Sequence, residues 1–104
     1  MLEKVYKIIA TEEFLKDYKN LPKDEQQRVD KAKEQLKTNP YSGKPLGYDF
    51  FREKKLGVKR LYYTIYENKI IVLVLAYGGK KDQQATINAI KTLFLQYKEE
   101  VEKL

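Results

Sequence analysis

The sequence predicts an α+β fold in one domain over residues 1–104: an N-terminal strand, a helical hairpin, an antiparallel sheet of three further strands and a C-terminal helix. Three observations lead there. Phe50–Lys81 (FFREKKLGVKRLYYTIYENKIIVLVLAYGGKK) is rich in Val, Ile, Tyr and Phe, which suit a pleated, half-buried surface. Within it, Ile70–Tyr77 has the length and composition of a strand at the centre of a sheet. On either side of that stretch, apolar residues recur every three or four positions, the period of a helix.

Val5–Ala10 (VYKIIA) reads as the first strand. Thr11 offers a hydroxyl N-cap, and Glu12 and Glu13 stand where the helix dipole favours negative charge. Phe14, Tyr18 and Leu21 then make Thr11–Leu21 a short amphipathic helix. Pro22 interrupts it and is placed to open the next helix, Lys23–Thr38, whose buried stripe is Val29, Ala32 and Leu36. Asn39-Pro40 ends that helix, because a residue before proline is pushed out of the helical region. Tyr41–Asp49 (YSGKPLGYD) is dominated by loop formers and reads as a crossover loop. Gly57 and Glu67-Asn68 supply turns between the three strands that follow.

Asp82 is the expected N-cap of the last helix. Ile87, Ile90, Phe94, Tyr97, Val101 and Leu104 form a three-four seam along it, so Gln83–Leu104 reads as one helix roughly 33 Å long. The seam either packs across its own sheet or presents Tyr97, Val101 and Leu104 to another chain as a homodimer or partner contact. The element order places the helices on one face of the sheet.

A formal charge of +6 favours anionic partners, nucleic acid ahead of membrane. No cysteine is present, which excludes disulfides and thiol chemistry. No histidine is present either, so any catalysis must use other acids and bases. The acidic, discontinuously apolar start MLEKVYKIIATEE is not a signal peptide, and the longest apolar run is short of a membrane span. A cytoplasmic protein without cofactor or metal is the expectation. Alternation along the strands puts Arg52 and Lys54 on one face of the first, and Arg60, Tyr62 and Thr64 on one face of the second. Guanidinium, ammonium and phenol groups on a sheet suit phosphates and bases.

The element order, the LKTNP helix end at 36–40, the KRLYYTIY strand, the IIVLVLAY strand and the GGKK turn together resemble the RelE/ParE toxin superfamily of toxin–antitoxin modules. The resemblance covers most of the chain. It implies a translation-inhibiting ribonuclease that docks in the ribosome, cuts mRNA by metal-independent attack of the 2′-hydroxyl, and is neutralised by a cognate antitoxin. It assigns catalytic roles to Lys54, Arg60 and Lys80, and RNA contacts to Arg52, Lys55, Lys59 and Lys81. The planar fork of Arg60 suits two phosphate oxygens. Lys54 serves as a base if Arg52, Lys55 and Arg60 crowd it. Lys80 donates to the leaving 5′-oxygen or stabilises its charge.

One position departs from the pattern: Thr86 aligns where family ribonucleases carry a tyrosine or histidine near the start of the last helix. Tyr77 is the nearest phenol in sequence, although an aromatic at a strand end equally closes a core. Two alternatives stay open, a non-nucleolytic ParE-like toxin acting on DNA gyrase and a non-toxic RNA- or protein-binding relative. Arg52, Lys54 and Lys55 also read as a charged edge strand that discourages aggregation, and Arg60 as a structural partner of Glu53.

Overall fold

A computed structural model describes residues 4–104. It contains strands β1 (Lys7–Ala10), β2 (Lys44–Tyr48), β3 (Phe51–Leu56), β4 (Lys59–Tyr66) and β5 (Ile71–Gly79), and helices α1 (Glu12–Lys19), α2 (Lys23–Thr38), α3 (Gln83–Thr92) and α4 (Phe94–Glu102). Short 3-10 turns at Pro40–Ser42 and Lys80–Asp82 lead into β2 and α3.

The local signals act as their chemistry requires. Thr11 Oγ1 accepts the Phe14 N–H at 3.1 Å and caps α1. Pro22 stands immediately before α2, and Asn39-Pro40 stops it. Five strands pair in the order β1-β5-β4-β3-β2. β2, β3, β4 and β5 pair antiparallel in succession, whereas β1 lies parallel to β5. The α1–α2 hairpin carries the chain from β1 across to β2 at the opposite edge.

β2 arises where a loop was expected. Lys44 pairs with Glu53 and Pro45 with Arg52, and an irregularity follows before Tyr48 meets Phe51. Pro45 and the positive φ of Gly47 are tolerable there because β2 is an edge strand, with one side of its backbone free of the ladder. Gly43, just before it, is held for a different reason. A Cβ at that position would stand 2.6 Å from the carbonyl oxygen of Glu53 and would strike the Tyr63 hydroxyl as well.

The helices cover both faces of the sheet, not one. Phe14, Val29, Ala32 and Leu36 of the hairpin pack on Leu61, Tyr63, Ile65, Val72 and Val74. Ile87, Ile90, Tyr97 and Val101 pack on Phe51, Tyr62, Ile71, Leu73 and Leu75. β5 is not the middle strand, as the sequence suggested, but lies one in from the edge between β1 and β4. It is apolar on both sides, as its unbroken run of Ile, Val and Leu indicates. A register irregularity between Tyr62 and Tyr63 of β4 lets Leu75 and Ala76 face the same side, and Tyr77 then turns to the hairpin.

The last helix is also broken. Leu93 leaves helical geometry (φ −109°, ψ 6°), its N–H bonding back three residues to Ile90 O at 2.9 Å. Thr92 Oγ1 donates to Ala89 O at 2.7 Å, a side-chain bond to the previous turn that bends helices. Past the break, α4 lays Tyr97 and Val101 onto the sheet. Both are buried, so the patch expected for association through them closes on the chain's own core, leaving Leu104 exposed. Lys69 Nζ donates to the carbonyls of Glu102 and Leu104, each at 3.4 Å, and ties down the end of α4. Asp82 precedes α3 as expected, but its side chain caps nothing.

Burial also marks the tyrosines. Tyr63 Oη donates to Pro40 O at 2.6 Å and accepts Gly43 N–H at 3.1 Å, stapling the loop after α2 to β4. Burial pushes Tyr6, Tyr63 and Tyr77 up to about 12, with Glu67 beside Tyr6 and Glu25 beside Tyr77 adding to the shift. A raised folded pKa contributes stability that is intact below the ordinary value of 10.0 and is lost as pH rises through about 12. Ultraviolet titration of the native chain should show these phenols ionising late and together with unfolding. Full ionisation near pH 10 in a still folded chain would contradict the burial.

Candidate nucleic-acid interface

The register decides which cations meet. Lys55 pairs with Arg60, Lys54 with Leu61, Glu53 with Tyr62 and Arg52 with Tyr63. Directly opposed residues share a face. Arg60, Lys55 and Glu53 thus stand on the α3 side, whereas Arg52 and Lys54 stand on the hairpin side. The sequence grouped each pair correctly within its own strand, but the two sets point in opposite directions.

Arg52 is placed in the interior. Its Nε donates to Asp49 O at 2.9 Å, and Nη1 to Tyr41 O at 3.0 Å and Gly43 O at 2.8 Å. Nη2 meets Asp49 Oδ1 at 2.7 Å, and the guanidinium carbon lies 4.9 Å from the Tyr41 ring centroid. The fork is spent on holding the loop around β2, and the expected RNA contact is withdrawn. Lys59 is likewise committed. Its Nζ stands 2.7 Å from Glu25 Oε1 and 5.3 Å from the Tyr77 ring centroid, on the hairpin side. Tyr77 Oη donates to the same Glu25 oxygen at 2.9 Å, which removes Tyr77 from the candidate bases. Those two donors hold the Glu25 carboxyl below the usual carboxylate value.

Arg60 has a partner and still faces an opening. Its Nε lies 3.5 Å from Glu53 Oε2, with the two side chains 15% and 7% exposed. Gln83 Nε2 donates to that same oxygen at 3.0 Å, bringing the first residue of α3 to the pair. The sequence raised Glu53 only as a structural partner. Its neighbour Tyr62, fully buried, keeps a hydroxyl without a hydrogen-bond partner among the described residues.

The ion pair forms one wall of an open groove of about 490 Å³ lined by Ser42, Gly43, Lys44, Glu53, Lys54, Lys55 and Arg60. Lys54 reaches into it around the sheet edge, with Nζ 3.2 Å from Ser42 Oγ. Lys44 on β2 is a lining cation that sequence reasoning passed over, because its segment read as a loop. Lys80 and Lys81 are exposed in the 3-10 turn that follows Gly79. Gly78 and Gly79 pair with Arg60 and Lys59, so that turn begins at the Arg60 end of β4. Thr86 sits half-buried on α3.

Among the described residues, no group of three or more His, Cys, Asp or Glu side chains could hold a metal ion, and no helix is long and apolar enough to cross a membrane. The electrostatics of the groove are those of an anion site. Its cations outnumber its one carboxylate, and that carboxylate is already paired.

No protein-family model and no curated protein matches the sequence. Solved structures do match the fold. An arginine double mutant of the E. coli toxin RelE in the free state is 21% identical, with a TM-score of 0.74 over 86% of this chain and 99% of that one. RelBE2, a toxin–antitoxin complex from Mycobacterium tuberculosis, is 24% identical, with a TM-score of 0.65 over 73% of this chain and 99% of that one. The archaeal RelE–RelB complex from Pyrococcus horikoshii is 18% identical, with a TM-score of 0.64 over 73% and 96%. Each is matched over nearly its whole length, and this chain accordingly has the RelE-like toxin fold.

Proposed function

We propose that this chain is the toxin of a toxin–antitoxin module and inhibits translation by cutting mRNA. The observation that carries the reading is the groove beside β3 and β4, where Arg60 is held by a buried carboxylate and surrounded by Lys44, Lys54 and Lys55. Solved neighbours of the same fold include toxins bound to their antitoxins, which supports a cognate antitoxin as partner.

The proposed reaction needs no metal. The 2′-oxygen attacks the adjacent phosphorus as its proton leaves. The P–O5′ bond breaks, the 5′-oxygen takes up a proton, and a 2′,3′-cyclic phosphate remains. Arg60 stabilises the charge that builds on the non-bridging oxygens, the term that usually dominates such catalysis. With Nε turned to Glu53, the two terminal nitrogens remain for phosphate. Lys54 and Lys55 add charge to the phosphate, and Lys80, exposed beside Lys81 in the turn after β5, is the proposed donor to the leaving 5′-oxygen. Among the described residues Glu53 is the one carboxylate lining the groove, and in this reading it accepts the 2′-proton and positions the guanidinium.

Induced expression in a bacterial host should stop protein synthesis, and primer extension should show new 5′ ends within translated messages. Growth arrest with intact messages and inhibited DNA supercoiling would instead favour a gyrase-directed toxin. Normal growth with intact messages would refute toxicity itself.

A further inference from the structure

A second groove lies on the other side of the same edge. It holds about 390 Å³ and is lined by Arg28, Lys31, Ala32, Gln35, Lys54, Lys55, Leu56 and Gly57. Arg28 and Lys31 come from the exposed side of α2, three residues apart and so on one helix face. The Arg28 Nη1 is 3.5 Å from where a Cβ on Gly57 would stand, which seats the guanidinium against the β3–β4 turn. Gly57 takes that turn with φ +67°, a conformation that favours glycine.

Lys54 and Lys55 line both grooves, which makes them one continuous surface wrapping the β3 edge. Along it stand Lys44, Lys54, Lys55, Arg60, Arg28 and Lys31. Of the carboxylates nearby, Glu53 faces Arg60 and Glu25 faces Lys59, while Asp24, one turn before Arg28, takes no ion-pair partner among the described residues. Among the described residues, Arg28, Lys31, Lys44, Lys54 and Lys55 take no ion-pair partner. Lysine-rich faces usually intersperse both signs of charge, and an unbroken run over two faces of a sheet matches a flexible polyanion rather than a single phosphate.

We infer that a single RNA strand runs from the Arg60 groove around the β3 edge onto α2, where Arg28 and Lys31 grip the phosphates that flank the reacting one. The inference rests on the ribonuclease reading and extends it from one phosphate to a track. A duplex is too stiff to follow so sharp an edge, whereas a single strand bends freely. The contacts go to phosphates, so the track gives affinity and direction without base preference.

The test is fluorescence anisotropy of the full chain with a labelled 12-nucleotide 2′-O-methyl oligouridine, whose blocked nucleophile prevents cleavage. Arg28→Gln/Lys31→Gln keeps good helix formers at both sites. It should weaken binding about tenfold and reduce the slope of log affinity against log salt by about 1.4, from two lost single-strand contacts. Lys16→Gln/Lys19→Gln on α1 removes the same charge away from the track and should leave affinity within about twofold. Equal losses in both variants would reduce the effect to net charge and overturn the track. A chain that cuts mRNA and keeps full oligomer affinity without Arg28 and Lys31 would overturn the track alone. A chain that binds no oligomer would overturn the track, and the ribonuclease reading falls with it where induced expression also leaves messages intact.

Discussion

Replacing Arg60 with alanine should abolish growth arrest and also cost about 3 kcal/mol of stability, because it strands a buried carboxylate. Glu53 is 7% exposed and would be left with the neutral amide of Gln83 as its remaining partner. An exposed strand arginine would cost almost nothing, and the buried pair is what raises the cost here. Loss of activity in Arg60→Ala is therefore ambiguous until folding is measured. Arg60→Lys resolves it. A lysine keeps positive charge beside Glu53, so urea denaturation should show most of the stability retained. Cleavage should still fall strongly, because one ammonium cannot replace the two terminal nitrogens of the fork on phosphate. Full toxicity in a folded Arg60→Ala chain would remove Arg60 from the site.

The second large effect lies at the other end of the chain. Tyr97→Ala should destabilise the isolated protein by about 3 kcal/mol, the usual cost of deleting a buried aromatic ring. Tyr97 is 7% exposed and Val101 1%, both against Leu73 and the other apolar residues of that face. Burial pushes the Tyr97 phenol above its ordinary value, with Glu13 and Glu100 adding to the shift. Had α4 overhung the sheet as an association surface, the same change would weaken assembly and leave the melt of the monomer alone. Thermal melts at several concentrations separate the two. An unchanged melt with lost association would restore the tail as an interface.

Much of the fold was readable in short windows of sequence. Thr11, Pro22 and Asn39-Pro40 mark helix ends through bonds and clashes that span four residues or fewer, and α2 matches its expected range. The apolar run after Asn68 marks an interior strand covered on both faces, where polar alternation is too costly, although the middle position in the sheet belongs to β4. The segment Lys44–Tyr48 was missed because its Pro and Gly are loop formers locally. It becomes a strand by pairing with β3, a contact that its own residues do not announce.

The candidate site shows the same division. The sequence by itself determined which residues can do this chemistry: the arginines and lysines of β3, β4 and the Gly79 turn, in a chain without histidine or cysteine. Period-two alternation even grouped Arg52 with Lys54, and Arg60 with Tyr62. Only the tertiary structure decided that these groups face opposite ways, that Arg52 and Lys59 are consumed by internal partners, and that Glu53 is buried against Arg60. It also brought Lys44, Arg28 and Lys31 to the edge that Lys54 and Lys55 occupy. The reason is physical. Helix caps and strand periods are fixed by atoms a few bonds apart, whereas the partner of a charge is chosen by register and packing between segments distant in sequence.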